Sequence, residues 1–368
     1  MLVIVRAPGA AFRDAISNHP DHHLIDVPRA LRQHAAFCSA LENAGIPLLR
    51  LADESNLPDA TFVSDTLVAL APPASGGPAV VIVALPAVES RRLEVESVVR
   101  AALEKLPAAT RVVRVEAPGT LEGGDVVVYG DRIAIGLSAR TNAVGARVLA
   151  DAAISLGYRP FLCPVTDRLH LATAVTAVDA HTLIGTATGF ASLDAAGPEA
   201  APAAGFTRLV LPDDELMGAN VLALAGHVFL GSGNPTAVGL LRQTGLTVDE
   251  VNLGEFALAD GGPTCLVNIL PSVEFIDGLF RWLESQRATL DAIGKVRSSR
   301  TTDDRWKPSA NLVVARHDNF DADLMLWSSG EAEFGYGRPG QSIDEHYDLQ
   351  SIDDLEALLR EFLTILTE

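Results

Sequence analysis

GGDVVVYGDRIAIGLS at residues 123–138 and GANVLALAGHVFLGSG at residues 218–233 are two copies of one stretch. Gly123 with Gly218, Asp125 with Asn220, Val126 with Val221 and Gly136 with Gly231 fall in register, and a helix-like segment follows each copy. The shared pattern is a polar entrance, a short β-branched run, a turn and a second apolar run. SDTLVAL at 64–70 and ATAVTAVDAHTLIG at 172–185 are weaker copies. Such self-similarity means that one supersecondary unit is reused, each copy burying its apolar face against the next. The unit reads strand, strand, helix, strand, which sets the fold class as α/β.

Working outward from the repeat, β-branched runs predict strands at 2–5, 47–51, 66–70, 80–83, 111–115, 126–129, 132–136, 209–211 and 221–224. Apolar residues at helical spacing predict helices at 28–44, 90–105, 142–156 and 235–244. Beyond Pro271 the composition changes. Trp282, Trp306 and Trp327 all lie there, with 19 acidic against 10 basic side chains in 97 residues. We therefore expect two domains, 1–271 and 272–368. The second reads as a small α+β unit: a helix at Val273–Leu290, strands at 310–317 and 322–337 with a turn at Ser329-Gly330, and a helix at Ile352–Leu366.

The 368 residues are 48% hydrophobic, with a net charge of −19 and a mean hydropathy of +0.23, a composition that can bury one large core plus a satellite. The acidity opposes nucleic acid and anionic membrane surfaces as partners. No apolar run reaches the roughly 18–20 residues of a membrane span, and the start, MLVIVRAPGAAF, is unlike a signal peptide, so a cytoplasmic location is expected. Cys38, Cys163 and Cys265 are odd in number and widely spaced, unlike a disulfide framework or zinc site. His19, His22 and His23 in SNHPDHH lack a cysteine or an i, i+4 pair and read as a polar loop. The GGD, GSGN and ASGG stretches do not make a phosphate loop, because G-x-x-x-x-G-K-[ST] is absent.

Superposing the repeat entrances puts Glu122 three residues before Asp125 and His170 three residues before Thr173. If the copies surround a common axis, then Phe62, Val63, Ser64, Asp65, Glu122, His170 and Cys265 meet at one end of it. Cysteine, histidine and a carboxylate are the parts of an activated-thiolate site. Taken alone, Cys265 at the head of CLVNIL reads equally as a buried small hydrophobe, the reading that Cys38 and Cys163 keep. The Gly pairs before Asp125 and ahead of Cys265 are expected to let backbone approach a ligand.

LPDATFVSD, ESRR, APGTLEGGD, GLSARTN, HLAT and DGGPTC, in this order over residues 1–270, resemble the dimethylarginine dimethylaminohydrolase family of the pentein superfamily. The resemblance implies a five-bladed α/β propeller of ββαβ units, with Cys265 as nucleophile, His170 as general acid and base, and Glu122 orienting His170. It also implies that Asp65 binds the guanidinium, Asp59 places the amino-acid end, Phe62 and Ser64 flank the pocket, and Arg91 and Arg140 hold the α-carboxylate. The substrate would be a small guanidino compound, with no metal or organic cofactor, and the histidine-rich loop would match the family's lid. The family's usual FVED departs to FVSD here, and a lost charged hydrogen bond costs about 1–3 kcal/mol, so substrate identity hinges on Ser64. Arginine deiminase chemistry is the alternative activity, and a catalytically silent, protein-binding pentein is the alternative class. In the C-terminal segment, DLMLWSSGEAEF and EHYDL resemble TriTu-type bacterial immunity proteins. That resemblance implies a toxin partner, while a dimerising module giving a homodimer is the plainer reading.

Overall fold

The computed structural model describes residues 1–71, 79–106, 110–166, 168–197, 206–271, 275–301, 309–327, 330–349 and 352–368. Val273, Trp306, Ser329 and the ASGG stretch, on which expectations fell, lie outside the described residues. The chain divides into two compact units, one formed by Met1–Lys105 and Thr110–Pro271, the other built on Ser272–Glu368.

The first unit begins with β1 (Leu2–Arg6), helix α1 (Val27–Asn43) and β2 (Leu48–Leu51). Three copies of one pattern follow: β3 (Leu67–Leu70), β4 (Val80–Val83), α2 (Val95–Leu103) and β5 (Arg111–Arg114); β6 (Val126–Tyr129), β7 (Arg132–Leu137), α3 (Ala143–Ser155) and β8 (Arg159–Pro164); β9 (Val175–Ala177), β10 (Thr182–Thr186), α4 (Ala187–Ala195) and β11 (Thr207–Leu211). A fourth comprises β12 (Leu222–Leu224), β13 (His227–Gly231), α5 (Pro235–Leu241) and β14 (Thr247–Val251), followed by the single turn α6 (Gly254–Ala257) and β15 (Asn268–Leu270). In every copy the middle strand pairs antiparallel with the first and parallel with the third. The fifth sheet obeys the same rule with its strands drawn from both ends of the unit: β1 is antiparallel to β15 and parallel to β2.

Local chemistry explains the elements. Asp26 accepts a hydrogen bond from Arg29 N at 2.8 Å and Pro28 sits in the first turn, starting α1. Ala30, Phe37, Cys38 and Leu41 line its buried face, and Gly45 ends it at φ +76°. Asn142 caps α3 by accepting from Val144 N and Gly145 N. Middle strands such as β4 and β7 are buried on both faces and read as unbroken apolar runs. The helix expected at 90–105 begins instead as a 3₁₀ segment, Glu89–Glu94, before α2, and the one expected to reach 244 leaves α geometry after Leu241, with Gly245 in the left-handed region.

The second unit is an antiparallel meander of β16 (Gly294–Thr301), β17 (Ser309–Arg316), β18 (Asp321–Trp327), β19 (Glu331–Arg338) and β20 (Gln341–Asp348), flanked in sequence by α7 (Phe275–Ile293) and α8 (Ile352–Thr367). Alternate residues Leu312, Leu324 and Phe334 join Leu279, Leu358 and Phe362 in one apolar core. The polar edge strands β16 and β20 had no alternating apolar signal, which is why they were not expected. Among the described residues, no helix is long and apolar enough to cross a membrane.

Candidate active site

The entrance to each first strand is a 3₁₀ turn: Val63–Thr66, Gly123–Asp125, Leu171–Thr173, Asp213–Ala219 and Pro263–Leu266. One backbone hydrogen bond recurs in all five. Asp65 N donates to Phe62 O, Asp125 N to Glu122 O, Thr173 N to His170 O, Asn220 N to Met217 O and Cys265 N to Gly262 O. Two sets of equivalent positions result: Phe62, Glu122, His170, Met217 and Gly262; and Asp65, Asp125, Thr173, Asn220 and Cys265.

The turns also interlock. Asp65 Oδ1 accepts from Gly124 N at 2.9 Å, Asp125 Oδ1 from Leu171 N at 3.0 Å, and Asn220 Oδ1 from Thr264 N at 3.0 Å, so a polar side chain of one copy satisfies the backbone of the next. The glycines make room for this interlock. A Cβ on Gly124 would lie 2.6 Å from His170 Nδ1, one on Gly262 2.6 Å from Asn220 Oδ1, and one on Gly261 2.4 Å from the Phe62 ring.

Glu122 is the hub and is fully buried. Its Oε2 meets His170 Nε2 at 2.9 Å and accepts from Arg91 Nη1 at 3.3 Å, while Oε1 accepts from Arg140 Nη1 at 3.3 Å. Arg91 Nη1 also donates to Asp65 Oδ2 at 2.9 Å, and its Nε and Nη2 donate to Glu94 Oε2. Arg91 thus bridges three buried carboxylates, whereas Arg140 bonds one. Cys265 is 9% exposed; Asn220 Nδ2 lies 3.7 Å and Thr264 Oγ1 4.0 Å from its Sγ. Ser64 Oγ reaches Asp65 Oδ1 at 3.5 Å. Asp59 accepts from Ile16 N, and Asp260 accepts from Ser17 Oγ and Asn18 N, pinning the N-terminal loop that leads into the three histidines.

Charge follows from these contacts. Burial disfavours the His170 cation, but Asp65 and the hydrogen bond to Glu122 override it and hold the imidazolium up to about 9. Burial pushes the Cys265 thiol up, and Asp65 adds to the effect. Asp65 titrates below its ordinary range despite burial, because His170 and Arg91 favour its anion. Burial raises Asp59, with Arg91 partly opposing it, and raises Glu94 to about 7, again against Arg91. Both the Cys265 thiol and the His170 imidazole are therefore held in their protonated forms near neutral pH. Asp65, Glu122 and His170 bring ligand-type atoms within 4.8 Å of one another, and Arg91 already occupies an oxygen of each carboxylate, so the cluster's carboxylates already face a guanidinium and the His170 imidazolium.

Sequence comparison settles the affiliation. The chain is 30% identical over 266 residues to N(G),N(G)-dimethylarginine dimethylaminohydrolase of Pseudomonas aeruginosa, covering 72% of this chain and 97% of that protein. It is 34% identical over 266 residues to the Streptomyces coelicolor enzyme of the same name, covering 94% of it. The chain belongs to the dimethylarginine dimethylaminohydrolase family. A cysteine-to-serine variant of the Pseudomonas dimethylarginine dimethylaminohydrolase complexed with citrulline superposes with a TM-score of 0.64 at 29% identity, covering 73% of this chain and 98% of that one. The N-terminal domain of a cyanobacterial arginine dihydrolase superposes with a TM-score of 0.60 at 16% identity over 72% of this chain and 96% of its own, a likeness of fold alone. No protein-family model matches the chain.

Two participants escaped the reading from sequence. Asn220 was aligned with Asp125 but given no role, although it is the polar neighbour of the thiol. Glu94 was hidden inside an amphipathic helical pattern.

Proposed function

We propose that the protein hydrolyses Nω-methylated arginine to citrulline and an amine at Cys265, His170 and Glu122. Family membership and the placement of these three residues on interlocked, equivalent turns support the reading, and the Glu122–His170 contact carries it. The five like sheets are the blades of a propeller, and the turns ring one end of its axis.

The substrate guanidinium binds at Asp65, and Asp59 takes the α-amino end. Arg140, whose guanidinium pairs with Glu122, holds the α-carboxylate; Arg91 joins it, but chiefly braces Asp65, Glu94 and Glu122. Phe62 and Ser64 border the pocket. The arriving cation lowers the thiol's pKa, and Cys265 gives up its proton to solvent as the guanidinium settles beside it. Thiolate attacks the guanidinium carbon, and the C–N bond breaks with its electron pair going to nitrogen as the His170 imidazolium supplies the proton. A covalent thiouronium remains. Neutral His170 then takes a proton from water, hydroxide adds to the same carbon, and collapse breaks the C–S bond, the departing sulfur taking the new hydroxyl's proton so that neutral citrulline and the resting thiol are left. No cofactor enters this sequence, and a reducing, cytoplasmic setting keeps the thiol competent.

Citrulline and amine release from asymmetric dimethylarginine, monomethylarginine and arginine, assayed beside Cys265→Ser, tests the assignment. Silence of the wild type on all three, or an active Cys265→Ser, overturns it; arginine as the sole good substrate turns it into a deiminase.

The C-terminal unit supports a separate role in binding protein. The sheet face opposite its core carries Asp321, Asp323, Glu333 and Asp344. Burial, with Asp344 and Asp321, raises Asp323, and although Lys295, Arg297 and His346 share this face, the cluster of Asp321, Asp323 and Asp344 suits a cationic partner such as a basic toxin. A homodimer through this unit is the alternative, which sedimentation of the full chain distinguishes.

A further inference from the structure

A cavity of about 570 Å³ runs among the first strands of all five sheets. Its lining includes Ser64, Gly123, Gly124, Ala172 and Thr264. These residues adjoin the chemistry: Ser64 precedes Asp65, Gly123 follows Glu122, Ala172 lies two residues past His170, and Thr264 precedes Cys265. Every one is small. Farther along, the lining is mostly apolar, with Val128 and Ile269, large side chains left 37% and 38% exposed, and with Ala69, Ala177 and Ala223, up to Asp179 at the exposed end. Of the polar side chains bordering it, Thr176 Oγ1 donates to Ala219 O, Thr264 Oγ1 to Asn220 Oδ1 and Asn268 Nδ2 to Leu67 O, while Asp179 accepts from His181 N at the exposed end and the Tyr129 hydroxyl is buried without a partner among the described residues.

Ser64 stands where the family pattern FVED carries glutamate. Because Ser64 lines the cavity, a glutamate there would put a carboxylate at its inner end, whereas serine leaves the space open and nearly apolar. We infer that this cavity receives the substituent on the departing nitrogen of the substrate, so that the site takes guanidines whose leaving nitrogen carries alkyl groups larger than methyl. This deepens the proposed hydrolysis, on which it rests, by naming its substrate class. A longer alkyl group exchanges water for apolar wall, a gain of about 0.8 kcal/mol per methylene buried. The covalent step is unchanged: the same C–N bond breaks, His170 supplies the same proton, and a larger amine leaves.

The test is a series of Nω-alkyl arginines, from methyl through ethyl and propyl to butyl, scored as kcat/KM from citrulline release by the full chain. The wild type should hold or gain kcat/KM up to propyl. Ala223→Phe and, separately, the milder Ala177→Val, both on the cavity wall away from the turns, should lower kcat/KM for the propyl and butyl substrates by about tenfold or more. The same variants should leave the methyl substrate within about twofold, with the melting temperature confirming folding. A wild type that turns over methylarginine but loses activity steadily with alkyl length overturns the inference while leaving the hydrolase assignment intact. Folded variants that slow all substrates equally do the same. Absence of citrulline from every substrate overturns the hydrolase assignment itself.

Discussion

Replacing Glu122 with glutamine removes one negative charge from a fully buried cluster while preserving shape. His170 is held up to about 9 against an ordinary 6.5, a preference for the imidazolium worth roughly 3 kcal/mol at about 1.36 kcal/mol per pH unit. Glu122 contributes to it both through its hydrogen bond and through its charge, alongside Asp65 and Asp125. In Glu122→Gln, Arg91 and Arg140 also lose their shared carboxylate and confront the imidazolium with less compensation. The acid form of His170 should then disappear at lower pH. The basic limb of kcat, followed by citrulline release from about pH 6 to about pH 10, should move down by at least one pH unit, with kcat near pH 8 falling about 100-fold or more. Stability should respond with the same sign. A histidine raised in the folded state stabilises fully below its unfolded value near 6.5, and that contribution fades as pH rises through about 9; the variant should lose it, measured by urea denaturation. An unchanged basic limb with kcat within about twofold of wild type would refute the role given to Glu122.

Gly124→Ala should fold but lose most activity, since its Cβ would sit 2.6 Å from His170 Nδ1; a fully active variant would mean that the ring is not held there. Asn220→Ala removes the polar neighbour of Cys265 Sγ and the acceptor for Thr264 N, and kcat should fall about tenfold, with slower alkylation of the thiol by iodoacetamide. Glu94, raised to about 7 by burial, holds extra protons in the folded state between its ordinary 4.5 and about 7, so stability should fall as pH rises through that window. Glu94→Gln should flatten that slope in denaturation measured at about pH 5 and about pH 8. Leu324→Ala in the fully buried core of the C-terminal unit should destabilise that unit by about 2–5 kcal/mol, read from its own unfolding transition; a change within about 0.5 kcal/mol would argue against that packing.

The repeat was legible because each copy buries its middle strand on both faces, leaving short apolar runs such as VVIV and IAIGL in the sequence. The site was legible through the entrances: superposing LEGGD on HLAT located two side chains that share a backbone position. The directions of the contacts between copies were not legible. That Asp65 accepts from Gly124 and Asn220 from Thr264 depends on how neighbouring turns face each other, which no local pattern encodes. For the same reason the partners of Arg91, which the resemblance gave only a substrate carboxylate to hold, are not written in ESRR. The 3₁₀ stretch Glu89–Glu94 turns it inward onto three carboxylates.

The fifth sheet sets the order in which this protein becomes active. Leu2 pairs with Leu270, across almost the whole length of the first unit, so during synthesis β1 must wait with one edge unpartnered until β15 leaves the ribosome. Only Val267 separates the turn that carries Cys265 from β15, and the proposed nucleophile is therefore among the last parts of the unit to be placed. Sequence-distant pairing of this kind is slow to form. A nascent chain stalled before residue 265 can assemble the middle sheets with their histidine and carboxylate, yet it is chemically inert, and commitment to the native pairing and acquisition of catalysis become a single event.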